Sequence, residues 1–114
     1  FPSFGQCPPA CGDRWEILLG NLRKGAYTLI FSGGTNAWHG ILSLSLRCGR
    51  RHPVEHRVGT LNWYSEETMH LVKKRLQISV PITGQVSIVG EITEKSHKSH
   101  GYWMCINNVS FQKA

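Results

Sequence analysis

From Leu42 to Arg47, a leucine alternates with a polar residue at every step of the chain. A two-residue period places all three leucines on one face of an extended segment, so this stretch predicts a half-buried β-strand. The same period recurs in residues 76–80 and again in 85–88. Between them, the motif Pro81-Ile-Thr-Gly84 predicts a turn that joins two antiparallel neighbours.

Turn-forming residues, chiefly the 12 glycines, interrupt the chain at intervals typical of a β protein. The short apolar runs between them predict seven strands. These are residues 14–19, 26–31, 41–47, 58–64, 75–80, 85–92 and 102–111. Strands of this number and spacing predict an all-β fold, an antiparallel β-sandwich of jelly-roll type.

Residues 65–74 allow a second interpretation. Ser65 is a favourable helix N-cap, and apolar residues follow it at helical spacing. They are Met69, Val72 and Leu76. The fold class therefore admits at most one short helix, which would not change the all-β assignment.

Four cysteines, an even number, allow two disulfide bonds in three possible pairings. They are Cys7, Cys11, Cys48 and Cys105. One pairing joins Cys7 to Cys11 and Cys48 to Cys105, whereas the other two tie the N-terminal segment to both the middle of the chain and the last strand. These two pairings close longer loops and so constrain the unfolded chain more, which slightly favours them. We expect one disulfide-stapled domain over residues 1–114, in which residues 1–12 form an extended arm.

The triplet Asn108-Val109-Ser110 is an acceptor for N-glycosylation, which requires passage through a secretory lumen. Together with the paired cysteines, it predicts a secreted or extracellular glycoprotein. If the protein is secreted, Phe1 follows a cleavage site. No apolar run approaches the ~20 residues of a membrane span, so we expect no transmembrane segment.

The formal net charge of +6 favours an acidic partner such as a glycosaminoglycan, a sialylated glycan, anionic lipid or nucleic acid. The candidate ligand-binding basic residues form two groups, Arg47, Arg50, Arg51 and Arg57, and Lys73, Lys74 and Arg75. A looser third group comprises Lys95, His97, Lys98 and His100. On one shared face they would hold a sulfated or phosphorylated polymer; the alternative is three separately solvated loops.

Trp38 lies in a loop, residues 32–40, that is rich in small and polar residues. An exposed tryptophan there would stack on a sugar ring, while Asn36 and His39 would hydrogen-bond to its hydroxyl groups. The alternative is a Trp38 side chain folded back onto the sandwich. The spacing of His97 and His100 gives only a weak metal-binding signal, so we expect no metal and no cofactor.

Three segments, residues 15–31, 76–88 and 101–111, resemble the jelly-roll sandwiches of galactose-binding-like modules and adhesive MAM domains. The resemblance covers roughly half of the chain. The last segment carries Val109-Ser-Phe111, but Asn107 and Asn108 precede it where acidic residues are common in MAM domains, and the chain is shorter than those domains. The resemblance implies an extracellular binding module without catalysis.

Catalytic motifs are scarce, and Asp13 is the only aspartate in the chain. The best catalytic alternative is a small basic ribonuclease that would use His52 or His56 with Glu55 and Arg51. The secretory features argue against a nucleic-acid-binding role. We therefore expect a non-catalytic module that recognises carbohydrate or an acidic glycosaminoglycan, with adhesion to a protein receptor or ligand as the alternative.

Overall fold

The computed structural model describes residues 13–101 and 104–114, and it confirms the predicted all-β sandwich. All seven predicted strands are present. They are β1 (Arg14–Leu22), β2 (Gly25–Thr35), β3 (Ile41–Cys48), β4 (Val54–Asn62), β5 (Met69–Val80), β6 (Gly84–Glu94) and β7 (Cys105–Lys113). The described part of the chain contains no helix.

The strands form two antiparallel sheets. One has four strands in the order β1-β6-β3-β4, and the other has three in the order β5-β2-β7. Among all sheet neighbours, only β3 and β4 follow each other in the sequence. Every other connection between strands crosses from one sheet to the other, which is typical of jelly-roll sandwiches.

The core lies between the sheets and is built from the inward face of each strand. The predicted leucines of β3 are fully buried there, as are Phe31 on β2 and Ile88 on β6. Trp63, which follows β4, is also fully buried and closes the core near β5. The two-residue period therefore identified the inward faces of β3, β5 and β6 correctly.

The turn at residues 81–83 does not join two paired strands, contrary to the prediction. β5 belongs to the three-stranded sheet and β6 to the four-stranded sheet, so this turn crosses between the sheets. Val80 and Val86 are both buried in the core from opposite sides. An apolar alternation shows which face is buried, but it does not show whether two such faces are neighbours in one sheet or opposed across a core.

Residues 69–74 are extended, so the short helix suggested by Ser65 is absent. β5 begins at Met69, which pairs with Thr35 at the end of β2. The long β2 strand pairs with β5 along its whole length. The hydrogen bonds of this pairing stabilise the extended conformation more than the local sequence pattern stabilises a helix. Leu71 has a φ of 57° near a register shift in this pairing, which marks an irregular strand end.

Cys48 and Cys105 are both free thiols, so the predicted disulfide bonds are not seen in the described residues. Cys105 opposes Gly34 near the end of β2, whereas Cys48 lies at the other end of the sandwich, beside the 81–83 turn. The two therefore cannot join each other. Cys7 and Cys11, and the predicted arm, lie outside the described residues.

Candidate functional site

Two loops meet at one end of the sandwich. Residues 36–40 connect β2 to β3, and residues 95–101 follow β6. The His100 backbone N–H donates to the Ala37 carbonyl at 2.8 Å, and Ser99 Oγ donates to the His39 carbonyl at 2.8 Å. These bonds hold the two loops together as one surface, which we call the end-loop surface.

Trp38 is the main exposed aromatic side chain of the end-loop surface, with 53% of its area accessible. The Asn36 side-chain oxygen accepts a hydrogen bond from the Trp38 backbone N–H at 2.8 Å, which fixes the turn. The Trp38 and His100 rings lie with centroids 5.0 Å apart at an interplanar angle of 44°. Trp38 is thus presented to solvent and supported from one side, and it does not fold back onto the sandwich.

His39 does not reach the surface, which corrects its expected role as a ligand hydrogen-bonding group. Only 5% of its area is exposed, and its ring interacts with the Gly34 backbone. Burial lowers the pKa of His39, so the imidazole stays neutral. The His39 carbonyl accepts a 2.8 Å hydrogen bond from Ser99 Oγ. His39 therefore anchors the loop beneath Trp38.

His100 takes the place expected of His39 beside the tryptophan. It is exposed, and it lies 62 positions along the chain from Trp38. Local sequence gave no signal for this contact, because it depends on the crossover of the chain after β6. His97 and Lys98 are exposed in the same loop, while the Lys95 ammonium donates to the Ser99 carbonyl at 2.9 Å.

The first basic group is spread over two regions. Arg47 lies on the outer face of the four-stranded sheet and forms an ion pair with Glu16 at 3.1 Å. Arg57 shares that outer face, because it opposes Ser45 in the β3–β4 pairing. Arg50 and Arg51 are exposed in the turn between β3 and β4.

The second basic group lies on the opposite side of the molecule. Lys73 and Arg75 are exposed on the outer face of the three-stranded sheet. Exposure alternates along β5, and the neighbouring Lys74 and Leu76 face inward. The Lys74 ammonium lies 5.6 Å from the centre of the Trp63 ring, in a cation–π contact. The fold therefore does not bring the basic groups together on one face.

Asn108 is exposed on the outer face of β7. It opposes Ser32 on β2, and Ser32 opposes Lys73 on β5. Asn108 and Lys73 thus occupy one row across the three-stranded sheet, about 10 Å apart. The acceptor triplet is accessible for modification on a face that also carries free positive charge.

The residues considered for ribonuclease activity are divided between two surfaces. His52 and His56 line one cavity at the end of the sandwich opposite Trp38. Glu55 faces away from this cavity and forms an ion pair with Arg14 at 2.8 Å. The described residues contain no group of three or more His, Cys, Asp or Glu side chains arranged to hold a metal ion.

The sequence matches no protein-family model, and it matches no curated protein at a significant level. In residues 13–101 and 104–114, no helix has the length and apolar character needed to cross a membrane.

Proposed function

We propose that this chain is an extracellular, non-catalytic module that binds carbohydrate on the end-loop surface. The observation that carries the proposal is the pairing of an exposed Trp38 with His100 at the meeting point of two loops. An indole face offers an apolar platform for the C–H face of a sugar ring, and an adjacent imidazole offers hydrogen bonds to its hydroxyl groups.

The platform is preorganised, which favours ligand binding. Asn36 fixes the Trp38 turn, and the buried Ser99 hydroxyl donates its single proton to the His39 carbonyl at 2.8 Å while its oxygen accepts from the Gly101 N–H at 3.3 Å. A rigid loop loses little conformational entropy when a ligand binds. The proposed ligand therefore contacts Trp38 and His100, while Asn36, His39 and Ser99 position them.

The charge of the surroundings favours a glycan with acidic groups. His97 and Lys98 are exposed in the loop that carries His100. A sulfate or carboxylate on the sugar would accept charge-assisted hydrogen bonds from the Lys98 ammonium. The separation of the other basic groups argues for a compact glycan epitope on this surface and against one long polymer held along the molecule.

The proposed extracellular location is supported by the accessible triplet Asn108-Val109-Ser110. Asn108 is exposed on β7, on the outer face of the three-stranded sheet. Binding of a protein receptor is the alternative function, because exposed aromatic residues also anchor protein interfaces.

The test is a glycan array that includes neutral, sialylated and sulfated oligosaccharides, followed by titration calorimetry of each hit. We expect Trp38→Ala to weaken binding about tenfold or more, and Trp38→Phe to retain part of it. Ile82→Ala is the matched control, because Ile82 is 72% exposed and lies at the other end of the sandwich. Equal binding by wild type and Trp38→Ala would overturn the proposal, and an array without any hit would favour a protein partner.

A further inference from the structure

The end of the sandwich opposite Trp38 contains a cavity of about 390 Å³. Two chain segments enclose it, the β3–β4 connection on one side and the turn that leads into β6 on the other. Its walls are formed by Cys48, Gly49, His52, Val54, His56, Pro81, Ile82, Thr83 and Gly84. This volume lies within the range of small-molecule binding sites.

Backbone geometry holds the cavity open. Gly49 has a φ of 106°, a conformation that favours glycine, and its N–H donates to the Gln85 carbonyl at 3.0 Å. This bond ties the β3–β4 connection to the start of β6. The two walls therefore belong to one hydrogen-bonded framework and do not depend on side-chain packing alone.

The cavity is apolar inside and carries large aliphatic groups at its mouth. Val54 is 66% exposed and Ile82 is 72% exposed, although both are cavity-lining residues. Cys48 lies half-buried in the wall, and burial raises the pKa of its thiol, so it adds a neutral group. An apolar portion of a ligand would cover these side chains and remove them from water.

The charged residues of the β3–β4 connection have one sign. None of the lining residues carries a carboxylate, and Arg50 and Arg51 are exposed in the connection that forms one wall. Neither arginine forms an ion pair within the described part of the chain. The nearest carboxylate in the sequence, Glu55, faces the opposite side of the sheet and pairs with Arg14.

We propose that this cavity binds a small amphipathic organic anion. Its apolar portion would lie against Val54, Pro81 and Ile82, and its carboxylate or sulfonate would interact with Arg50 and Arg51 at the mouth. Guanidinium groups suit such anions because they bind two oxygens at once. This site is independent of the end-loop surface, so either proposal can fail without the other.

The first measurement uses Cys48 as a reporter of occupancy and decanoate as the probe. The full chain is treated with iodoacetamide, and alkylation of each cysteine is followed by peptide mass spectrometry. We expect decanoate at ten times its Kd to slow alkylation of Cys48 about tenfold, since only the unoccupied protein reacts. Cys105 is the internal control, because it is exposed at the other end of the sandwich and should react at an unchanged rate.

The second measurement is titration calorimetry, which does not depend on the thiol. We expect decanoate to bind more tightly than decanol, and Arg50→Gln with Arg51→Gln to weaken decanoate binding about fivefold. Arg75→Gln is the charge control on the three-stranded sheet and should leave the affinity unchanged. Ile82→Glu should abolish decanoate binding by placing a carboxylate at the mouth.

Three results would overturn the proposal. The first is that saturating decanoate changes neither Cys48 alkylation nor the calorimetric signal. The second is that decanol binds as tightly as decanoate, which would exclude the anionic component. The third is that Arg75→Gln weakens binding as much as the Arg50 and Arg51 substitutions, which would show an effect of net charge only.

Discussion

Arg14 and Glu55 lie on the two opposite edge strands of the four-stranded sheet, and their side chains meet at 2.8 Å. Three interstrand spacings separate these edges, about 14 Å in a flat sheet. The contact therefore requires a sheet that twists and curves toward its outer face. The burial of Ser87 and Val89 on that outer face agrees with such a curvature.

The Arg14–Glu55 ion pair should contribute little to stability despite its span. The two side chains are 49% and 36% exposed, so solvent screens their attraction. A double-mutant cycle with Arg14→Gln and Glu55→Gln, measured by urea denaturation, should give a coupling of about 0.2–1 kcal/mol that falls in high salt. The Arg47–Glu16 pair is the matched control at similar exposure. A salt-insensitive coupling above about 2 kcal/mol would contradict this expectation.

Substitution of Gly90 by alanine should destabilise the protein, because its added methyl group would overlap the Trp15 ring. Trp15 is buried in the core, so either the ring or the strand must move. We expect Gly90→Ala to lower the free energy of unfolding by about 1–3 kcal/mol. Gly59→Ala is the matched control, since its methyl group meets only the flexible end of Leu76 at 2.8 Å. An equal cost for both variants in urea denaturation would disprove the role assigned to Trp15.

His39 should make the protein less stable in mild acid. Burial lowers its pKa below the ordinary value of 6.5, so the unfolded chain takes up a proton that the folded protein resists. The free energy of unfolding should therefore be highest above pH 6.5 and should fall, by at most about 1.4 kcal/mol per pH unit, down to the folded-state pKa.

The measurement is urea denaturation of wild type and His39→Gln between neutral and mildly acidic pH. The variant should lose about 1 kcal/mol at neutral pH, because the Gly34 interaction is disturbed, and should show a shallower dependence on pH. His70→Gln, an exposed substitution on β5, should keep the wild-type slope because it leaves His39 buried. An unchanged slope in His39→Gln would show that other groups govern the acid response.

Glycosylation of Asn108 should block access to the basic face of the three-stranded sheet. Asn108 and Lys73 lie in one row, separated by Ser32. A branched glycan would extend across this short distance and cover Lys73 and Arg75. Chromatography on immobilised heparin should therefore show later elution for Asn108→Gln than for the glycosylated protein from the same eukaryotic host.

Two variants control the heparin experiment. Ser110→Ala removes the acceptor triplet but keeps Asn108, so it should elute with Asn108→Gln. Adding Lys73→Gln and Arg75→Gln to either variant should return its elution from heparin to an earlier position. Identical elution of the glycosylated and unglycosylated proteins would show that this face does not contribute to polyanion binding.

Much of the fold was readable from the sequence, because alternation and turn residues act over a few positions. The strands at 41–47 and 85–92 lie within a few residues of their observed bounds. β4 begins at Val54, four residues before the predicted start, because its polar first half gains hydrogen bonds from β3. The sequence left two alternatives for Trp38, exposed or folded back onto the sandwich, and only the packing of its loop decided for exposure.

The candidate site was only half predictable. The composition of its loop marked Trp38 as a candidate binding residue. Its partner His100 comes from a distant loop. The buried position of His39 depends on the packing of those two loops. The cavity beside Cys48 gave no sequence signal, because its walls come from turns that belong to different sheets. Side chains from distant segments meet only after the crossovers are in place.

The sequence by itself determined the number of strands in the described part of the chain and the inward faces of β3, β5 and β6, since these follow from local periodicity and turn chemistry. Only the tertiary structure decided which strands are neighbours, which loops meet and how far apart the basic groups lie. The reason is physical: local preferences select the conformation of each segment, while burial of all the apolar faces in one core selects their mutual arrangement.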